Sequence, residues 1–144
     1  MNALTKEWIE KAEADLEVAR LTQEKANESL AFTICFHAQQ CAEKYVKAYL
    51  TEHKIPFPRI HDMTDLMELA KPHDTEFESL RDDLLLVDQY SVEVRYPGRN
   101  ATWDEAIQAV EACERIREFV KKKLEMDGGE DKEHNEDMAD AESE

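Results

Sequence analysis

A stripe of polar side chains runs through an otherwise apolar segment, AFTICFHAQQCAEKYVKAYL, at residues 31–50. Thr33, His37, Gln40 and Lys44 recur at spacings of four, three and four, so they share one face of an α-helix. An imidazole, an amide and an ammonium group on one line could form a catalytic or a phosphate-binding site. The same groups could instead be half-buried side chains that find hydrogen-bond partners inside the fold. The residues alone leave both interpretations open.

A small cationic cavity is one form that such a site could take in this acidic protein. Its candidate ligand-binding residues are His37, Gln40, Lys44, Lys47, Arg95 and Tyr96. The cavity would suit a nucleotide phosphate, because an arginine can contact it bidentately and a tyrosine offers a stacking face. The alternative is structural: Arg95 pairs with Glu43, and Tyr96 packs in the core.

Five helical segments, and no convincing strand, are predicted to position these residues. The expected helices cover about residues 4–25, 28–53, 63–71, 75–93 and 102–124. Apolar residues recur at helical spacing in each of them, and the prolines of IPFPR, Pro72 and RYPG interrupt the pattern. Short connections between long helices favour antiparallel neighbours. The predicted fold class is therefore all-α, an up-and-down bundle of four to five helices in a single domain.

Individual residues in these helices also carry expectations. Thr5 is expected to cap the first helix, Val18 to lie on its apolar face, and Leu85 to lie in the core of the fourth. The core seam of the second helix is predicted to be Leu30, Ile34, Ala38, Cys41, Tyr45 and Ala48. Further apolar residues lie on its far side, so the second helix should be central in the bundle or lie at a dimer interface.

The charge of the chain is strongly negative, at −16, and is unevenly spread. Residues 126–144, MDGGEDKEHNEDMADAESE, hold nine acidic residues and one lysine. Such a segment buries too little apolar surface to offset its ordering entropy, so we expect a helical domain over residues 1–125 and a disordered acidic tail over 126–144. This acidic charge disfavours tight nonspecific binding to nucleic acid, because such binding depends on neutralising phosphates.

Expectations about the cellular location of the protein and about its cofactors come from motifs that the sequence lacks. No apolar run approaches the roughly 18–20 residues of a membrane span, and the first residues do not resemble a signal peptide. The cysteines, Cys35, Cys41 and Cys113, are odd in number and form no C-x-x-C pair, so buried thiols in a reducing cytoplasm are expected. No pair of Glu-x-x-His motifs or phosphate loop is present, so no metal or cofactor is expected.

Four ordered pieces of the sequence resemble the HEPN domain family. CFHAQQCAEKYVKAYL resembles its second-helix signature, and YSVEVRYPG resembles its tyrosine-rich segment ending in Arg-Tyr-Pro. IPFPRIHDM, followed by Leu66, is similar to its proline-then-His-Asp-Leu turn, with Met63 in place of leucine. The opening helix is matched by Trp8, Ala12, Asp15, Leu16 and Ala19. The resemblance covers about residues 5–123.

The resemblance implies a helical bundle that usually dimerises. Many small members act as partners of a minimal nucleotidyltransferase, whereas others are metal-independent ribonucleases with an Arg-x4–6-His motif. The histidine would lie at residues 100–102 if Arg95 began this motif, or at 104–106 if Arg99 did. Neither window contains one.

The first hypothesis is therefore a non-catalytic binding or regulatory protein, a homodimer that partners a nucleotidyltransferase in a toxin–antitoxin-like pair. Two alternatives remain. One is a ribonuclease with a degenerate site around Arg95 and Arg99, and the other is a nucleotide-binding module that uses the polar stripe.

Overall fold

The computed structural model describes residues 1–59, 62–92, 97–98 and 100–127, with only the backbone of the last two. Its α-helices are α1 (Ala3–Glu24), α2 (Ala31–Glu52), α3 (Met63–Ala70), α4 (Arg81–Asp88) and α5 (Trp103–Asp127). Two 3₁₀ segments, Glu28–Leu30 and Thr75–Leu80, lead directly into α2 and α4. Since these ranges contain helices and no strand, the predicted all-α class is confirmed.

Helix α2 lies at the centre of the bundle and contacts all four other helices. Twelve of its 22 residues are buried, on most of its circumference, as the apolar contacts on both faces predicted. They are Ala31, Ile34, Cys35, Ala38, Gln39, Cys41, Ala42, Tyr45, Val46, Ala48, Tyr49 and Leu50. The small residues among them let neighbouring helices approach closely, and the two tyrosines fill the space that remains.

Helices α1 and α5 make the most extensive contacts with α2. Ala12, Leu16 and Ala19 of α1 are at most 1% exposed, and their spacings of four and three define a narrow apolar stripe. The inward side of α5 follows the same rule over about five turns. Its buried residues are Ala106, Ala109, Val110, Ala112, Cys113, Ile116, Val120 and Leu124.

Side chains satisfy backbone amides at the starts of α1 and α5. Asn2 caps α1, accepting a hydrogen bond from the Thr5 amide at 2.8 Å. At the start of α5, the Thr102 hydroxyl accepts from the Glu105 amide at 3.0 Å, and the Glu105 carboxylate accepts from the Thr102 amide at 2.8 Å. This reciprocal pair is a capping box, which fixes both side chains at the N-terminus of α5.

The ends of α1 and α2 each place an ordinary L-residue in the left-handed region. Ala26 follows α1 with φ of 54°, and Lys54 follows α2 with φ of 58°. After α2, the Ile55 amide donates to the Leu50 carbonyl at 2.9 Å and the Lys54 amide to the Thr51 carbonyl at 3.1 Å. These two bonds form a Schellman motif, in which glycine is the usual residue at the left-handed position.

Four sequence-based expectations were wrong in detail, and they concern the fourth helix, Thr5, Val18 and Leu85. The fourth helix was predicted over 75–93, but its first six residues are 3₁₀ and α4 ends at Asp88, before the β-branched residues of SVEV. Asn2, not Thr5, caps α1, because Thr5 itself is buried and donates to Asn2. Val18 and Leu85 are 39% and 51% exposed and lie outside the core. The disordered tail stays a prediction, since residues 128–144 lie outside the described ranges.

Adjacent leucines of α4 provide a matched test of the core. Leu84 is fully buried and Leu85 is 51% exposed. We expect Leu84→Ala to lower the free energy of unfolding by about 2–5 kcal/mol and Leu85→Ala by less than about 0.5 kcal/mol. Urea denaturation followed by circular dichroism measures both values, and equal losses would contradict the described orientation of α4.

Candidate functional site

The polar stripe of α2 meets a carboxylate of α1. The Nδ1 atom of His37 lies 3.0 Å from Oδ1 of Asp15, and Nζ of Lys44 donates to Oδ2 of the same carboxylate at 2.5 Å. The side chain of His37 is 26% exposed, that of Lys44 is 24% exposed and that of Asp15 is 13% exposed. Two of the candidate ligand-binding groups are therefore close together, and they share one anionic partner in the partly buried seam between the helices.

Gln40 and Lys47 belong to a different hydrogen-bonded cluster. Gln40 donates to the fully buried Gln39 at 2.7 Å, and Gln39 donates to the Glu43 carboxylate at 2.8 Å. Lys47 donates to the other oxygen of that carboxylate at 2.8 Å. Its ammonium group also lies 5.3 Å from the ring centre of Trp8, within cation–π range. The predicted stripe thus divides into two groups with separate partners.

A third polar network connects α1, α2 and α5. The hydroxyl of the buried Tyr45 donates to the Glu13 carboxylate, and Arg117 donates to the same carboxylate from Nε at 2.6 Å and from Nη2 at 3.3 Å. Burial raises the pKa of Glu13, but hydrogen bonds from Arg117 and Tyr45 outweigh it, so the net pKa lies below its ordinary value of 4.5. Burial raises the pKa of the Tyr45 hydroxyl, and its hydrogen bond to Glu13 raises that pKa further.

Three of the predicted site residues, Arg95, Tyr96 and Arg99, lie outside the described residues. His61 lies outside them as well. The partner that the sequence analysis proposed for Arg95, Glu43, is engaged with Gln39 and Lys47. The nucleotide cavity and the degenerate nuclease site therefore stay predictions.

All six positions at which a nuclease histidine was sought are among the described residues. Thr102 and Glu105 form the capping box of α5, and Ala106 is 1% exposed. Tyr90 lies near this helix start, where burial, Cys35 and Glu105 raise its pKa. At this end of the bundle the side chains of Thr102 and Glu105 therefore stabilise the start of α5.

Two further histidines lie at the other end of α2. The rings of His53 and His73 have centres 4.1 Å apart, and Nδ1 of His73 is 2.7 Å from the Tyr49 hydroxyl. Phe32, near the first turn of α2, contacts Tyr90 with ring centres 6.0 Å apart. Phe32 and His53 are 21 positions apart along the chain, which corresponds to about 30 Å of helix. The histidine pair is therefore too far from the start of α5 to act there.

The HEPN domain family model matches residues 5–123. The chain belongs to the HEPN domain family. Two solved structures agree. ST0689, titled an archaeal HEPN homologue, shares 27% identity and a TM-score of 0.65 over 83% of this chain and 97% of its own. TT1696 from Thermus thermophilus shares 26% identity and a TM-score of 0.70 over 83% and 98%. None of the curated proteins matches significantly.

The family assignment confirms the sequence resemblance over the same residues, 5–123. In the described part of the chain, no three metal-binding side chains lie together, and no helix is long and apolar enough to cross a membrane. Sequence reasoning did not identify Asp15 or Glu13 as partners of α2. The sequence offered one indication of this role: both carboxylates lie next to the apolar stripe of α1, at an edge of the stripe that α2 could contact.

The Asp15–Lys44 pair should contribute measurably to stability. In a double-mutant cycle of Asp15→Ala and Lys44→Met, we expect a coupling energy of about 1–2 kcal/mol, because both groups are partly removed from water. The exposed pair of Glu7 and Lys11, 3.9 Å apart, is the control, with an expected coupling of at most about 0.5 kcal/mol. Equal coupling energies in the two cycles would show that partial burial between α1 and α2 does not strengthen the Asp15–Lys44 pair.

The Glu13 network should make stability depend on pH in the acid range. Because its folded pKa is lowered, Glu13 contributes stability that is present above its unfolded pKa of about 4.5 and is lost as the pH falls through the folded value. Glu13→Gln should therefore reduce the slope of unfolding free energy against pH below about pH 5. Glu17→Gln, which removes a carboxylate with no described ion pair, is the control. A Glu13→Gln slope equal to that of wild type would contradict this role.

Proposed function

We propose that this HEPN-family chain is a non-catalytic binding and regulatory subunit. Its proposed partner is a minimal nucleotidyltransferase, in a toxin–antitoxin-like pair, and the chain acts as a homodimer. The observation that carries the proposal is the start of α5, where Thr102 and Glu105 form a helix cap at positions searched for the nuclease histidine. The partner and the dimer are expectations that come from the family resemblance.

The chemistry of RNA cleavage supports a non-catalytic role. Cleavage without a metal needs a proton acceptor near the 2′-hydroxyl and a cation for the phosphate. Glu105 would bring negative charge to the phosphate, and its carboxylate already accepts the Thr102 amide. His37 is paired with Asp15. None of the positions 100–102 and 104–106 at the start of α5 is a histidine, so the proton acceptor of the Arg-x4–6-His motif is missing there.

The electrostatics of the stripe also favour a protein partner over a nucleotide. His37 and Lys44 contact one carboxylate, so a phosphate that approached them would compete with Asp15. Lys47 is likewise paired with Glu43. The proposal includes a cytoplasmic location, which is supported by the three buried cysteine thiols.

Affinity purification tests the proposed partner. A tagged chain expressed in its native host should retain a nucleotidyltransferase in a stoichiometric complex, identified by mass spectrometry and sized by light scattering. A chain that is recovered as a homodimer alone would overturn the proposed pairing.

A metal-free assay tests the proposed lack of catalysis. Single-stranded RNA should remain intact with the purified chain, and Arg95→Ala and Arg99→Ala should behave like wild type. RNA that is cut by wild type, and spared by either variant at unchanged melting temperature, would assign the chain to the ribonucleases instead.

A further inference from the structure

The outer face of α1 carries an apolar seam that no described element covers. Ala14, Val18 and Leu21 follow one another at spacings of four and three, which places them on one line of the helix. Val18 is 39% exposed and Leu21 is 52% exposed. This line lies on the opposite side of α1 from Ala12, Leu16 and Ala19, which pack against the bundle. Helix α1 therefore carries a short apolar seam of three residues on its outer side, between Lys11 and Lys25 of the same line.

A row of glutamates borders this seam. Glu10, Glu17 and Glu24 are spaced by seven residues, and together with Ala14 and Leu21 they line an open groove of about 650 Å³. All three are exposed, and none makes an ion pair with a described residue.

Other charges on this groove already have partners. Glu13 is paired with Arg117, and Arg20 donates to Glu114 at 2.9 Å. The uncompensated charge of the groove is therefore the heptad row of glutamates.

The combination matches one half of a coiled-coil interface. Apolar residues at alternating spacings of three and four form the seam of such an interface, and charged residues at heptad spacing beside the seam select the partner helix. On α1 the selecting residues are all acidic. The complementary helix would carry apolar residues for the seam and lysine or arginine at heptad spacing on the flank that meets the glutamates.

Occupants from this chain itself fit the charge poorly. A second α1 packed antiparallel would set one row of glutamates against the other, and like charges across an interface are unfavourable. The segment 126–144 carries nine acidic residues and one lysine, so the groove would repel it as well. Charge complementarity therefore selects a basic helix from a different protein.

We infer that the outer face of α1 is a docking site for a basic amphipathic helix of a partner protein. The helix packs apolar side chains on Ala14, Val18 and Leu21 and sets basic side chains against Glu10, Glu17 and Glu24. The inference rests on the proposed binding function, but it does not require that the partner be a nucleotidyltransferase. Its specificity comes from charge, and its buried area comes from the seam.

A synthetic three-heptad peptide tests the groove directly. The probe peptide carries leucine at its seam positions and lysine on the flanks. A control peptide of the same composition carries the lysines on the opposite face. Fluorescence anisotropy should show salt-sensitive binding of the probe, and binding at least about tenfold weaker for the control peptide. Equal binding of the two peptides would overturn the inference, because it would reflect net charge alone.

Matched triple variants of the full chain locate the binding surface. Glu10→Lys, Glu17→Lys and Glu24→Lys together should weaken probe binding at least about tenfold. The control triple changes three exposed acidic residues on other helices by the same total charge: Asp82→Lys, Glu111→Lys and Glu125→Lys. It should weaken binding by less than about threefold. An equal effect of both triples, at unchanged melting temperature, would overturn the docking site.

A third variant tests the seam and separates a partner helix from a second copy. Leu21→Ser should also abolish probe binding, because it removes the most exposed apolar contact of the groove. If wild-type chains instead associate with one another through this face and Leu21→Ser abolishes that association, the occupant is a second copy and the inference fails. Failure of the peptide experiments while the nucleotidyltransferase still co-purifies would refute the groove and leave the proposed function standing.

Discussion

The burial of α2 on most of its circumference is the constraint on which the rest of the structure depends. A helix in that position turns few of its polar side chains fully to water, so the half-buried ones need partners from a neighbouring element or from an adjacent turn of α2. Asp15 of α1 serves His37 and Lys44, and Glu43 serves Gln39 and Lys47. The polar stripe is therefore part of how α2 is oriented in the bundle, whatever else it binds.

Glu13 shows how the same constraint connects three helices. The Tyr45 hydroxyl reaches the edge of the core, where a carboxylate from α1 and a guanidinium from α5 meet it. A buried phenol without such a partner would lose about 1–3 kcal/mol. Helices α1 and α5 are thus positioned by polar contacts as well as by their apolar stripes, which specifies their relative register more closely than apolar packing alone can.

The periodicity of the sequence predicted the helices because burial on one face imposes a 3.6-residue repeat. It placed Tyr45 and Ile34 correctly in the core. It could not separate Leu84 from Leu85, since adjacent residues differ only by the exact rotation of α4 and both are apolar. Nor could it show that His37 pairs with Asp15, because that partner lies on α1 and a long-range contact leaves no spacing signal in a single chain. The Glu43–Lys47 pair does have such a signal, a spacing of four residues on one helix.

The family assignment and the helix cap bear on function in different ways. The match to the HEPN family model establishes the family over residues 5–123, but a shared fold does not by itself assign a function. At the start of α5, Thr102 and Glu105 form a capping box that stabilises the helix, and this supports the non-catalytic role that we propose. The docking that we propose on α1 would use the exposed side of the helix and leave its buried side unchanged.

The turns at Ala26 and Lys54 have an evolutionary consequence. Each holds an L-residue in a left-handed conformation that costs about 1–2 kcal/mol, a cost that glycine avoids. Both positions follow helix ends, and neither of them lines the groove on α1 or forms the start of α5. Exchange to glycine or asparagine at either position should therefore be accepted readily over evolutionary time. Such an exchange would give related chains a reserve of stability against which they can accumulate costly changes on the binding surface.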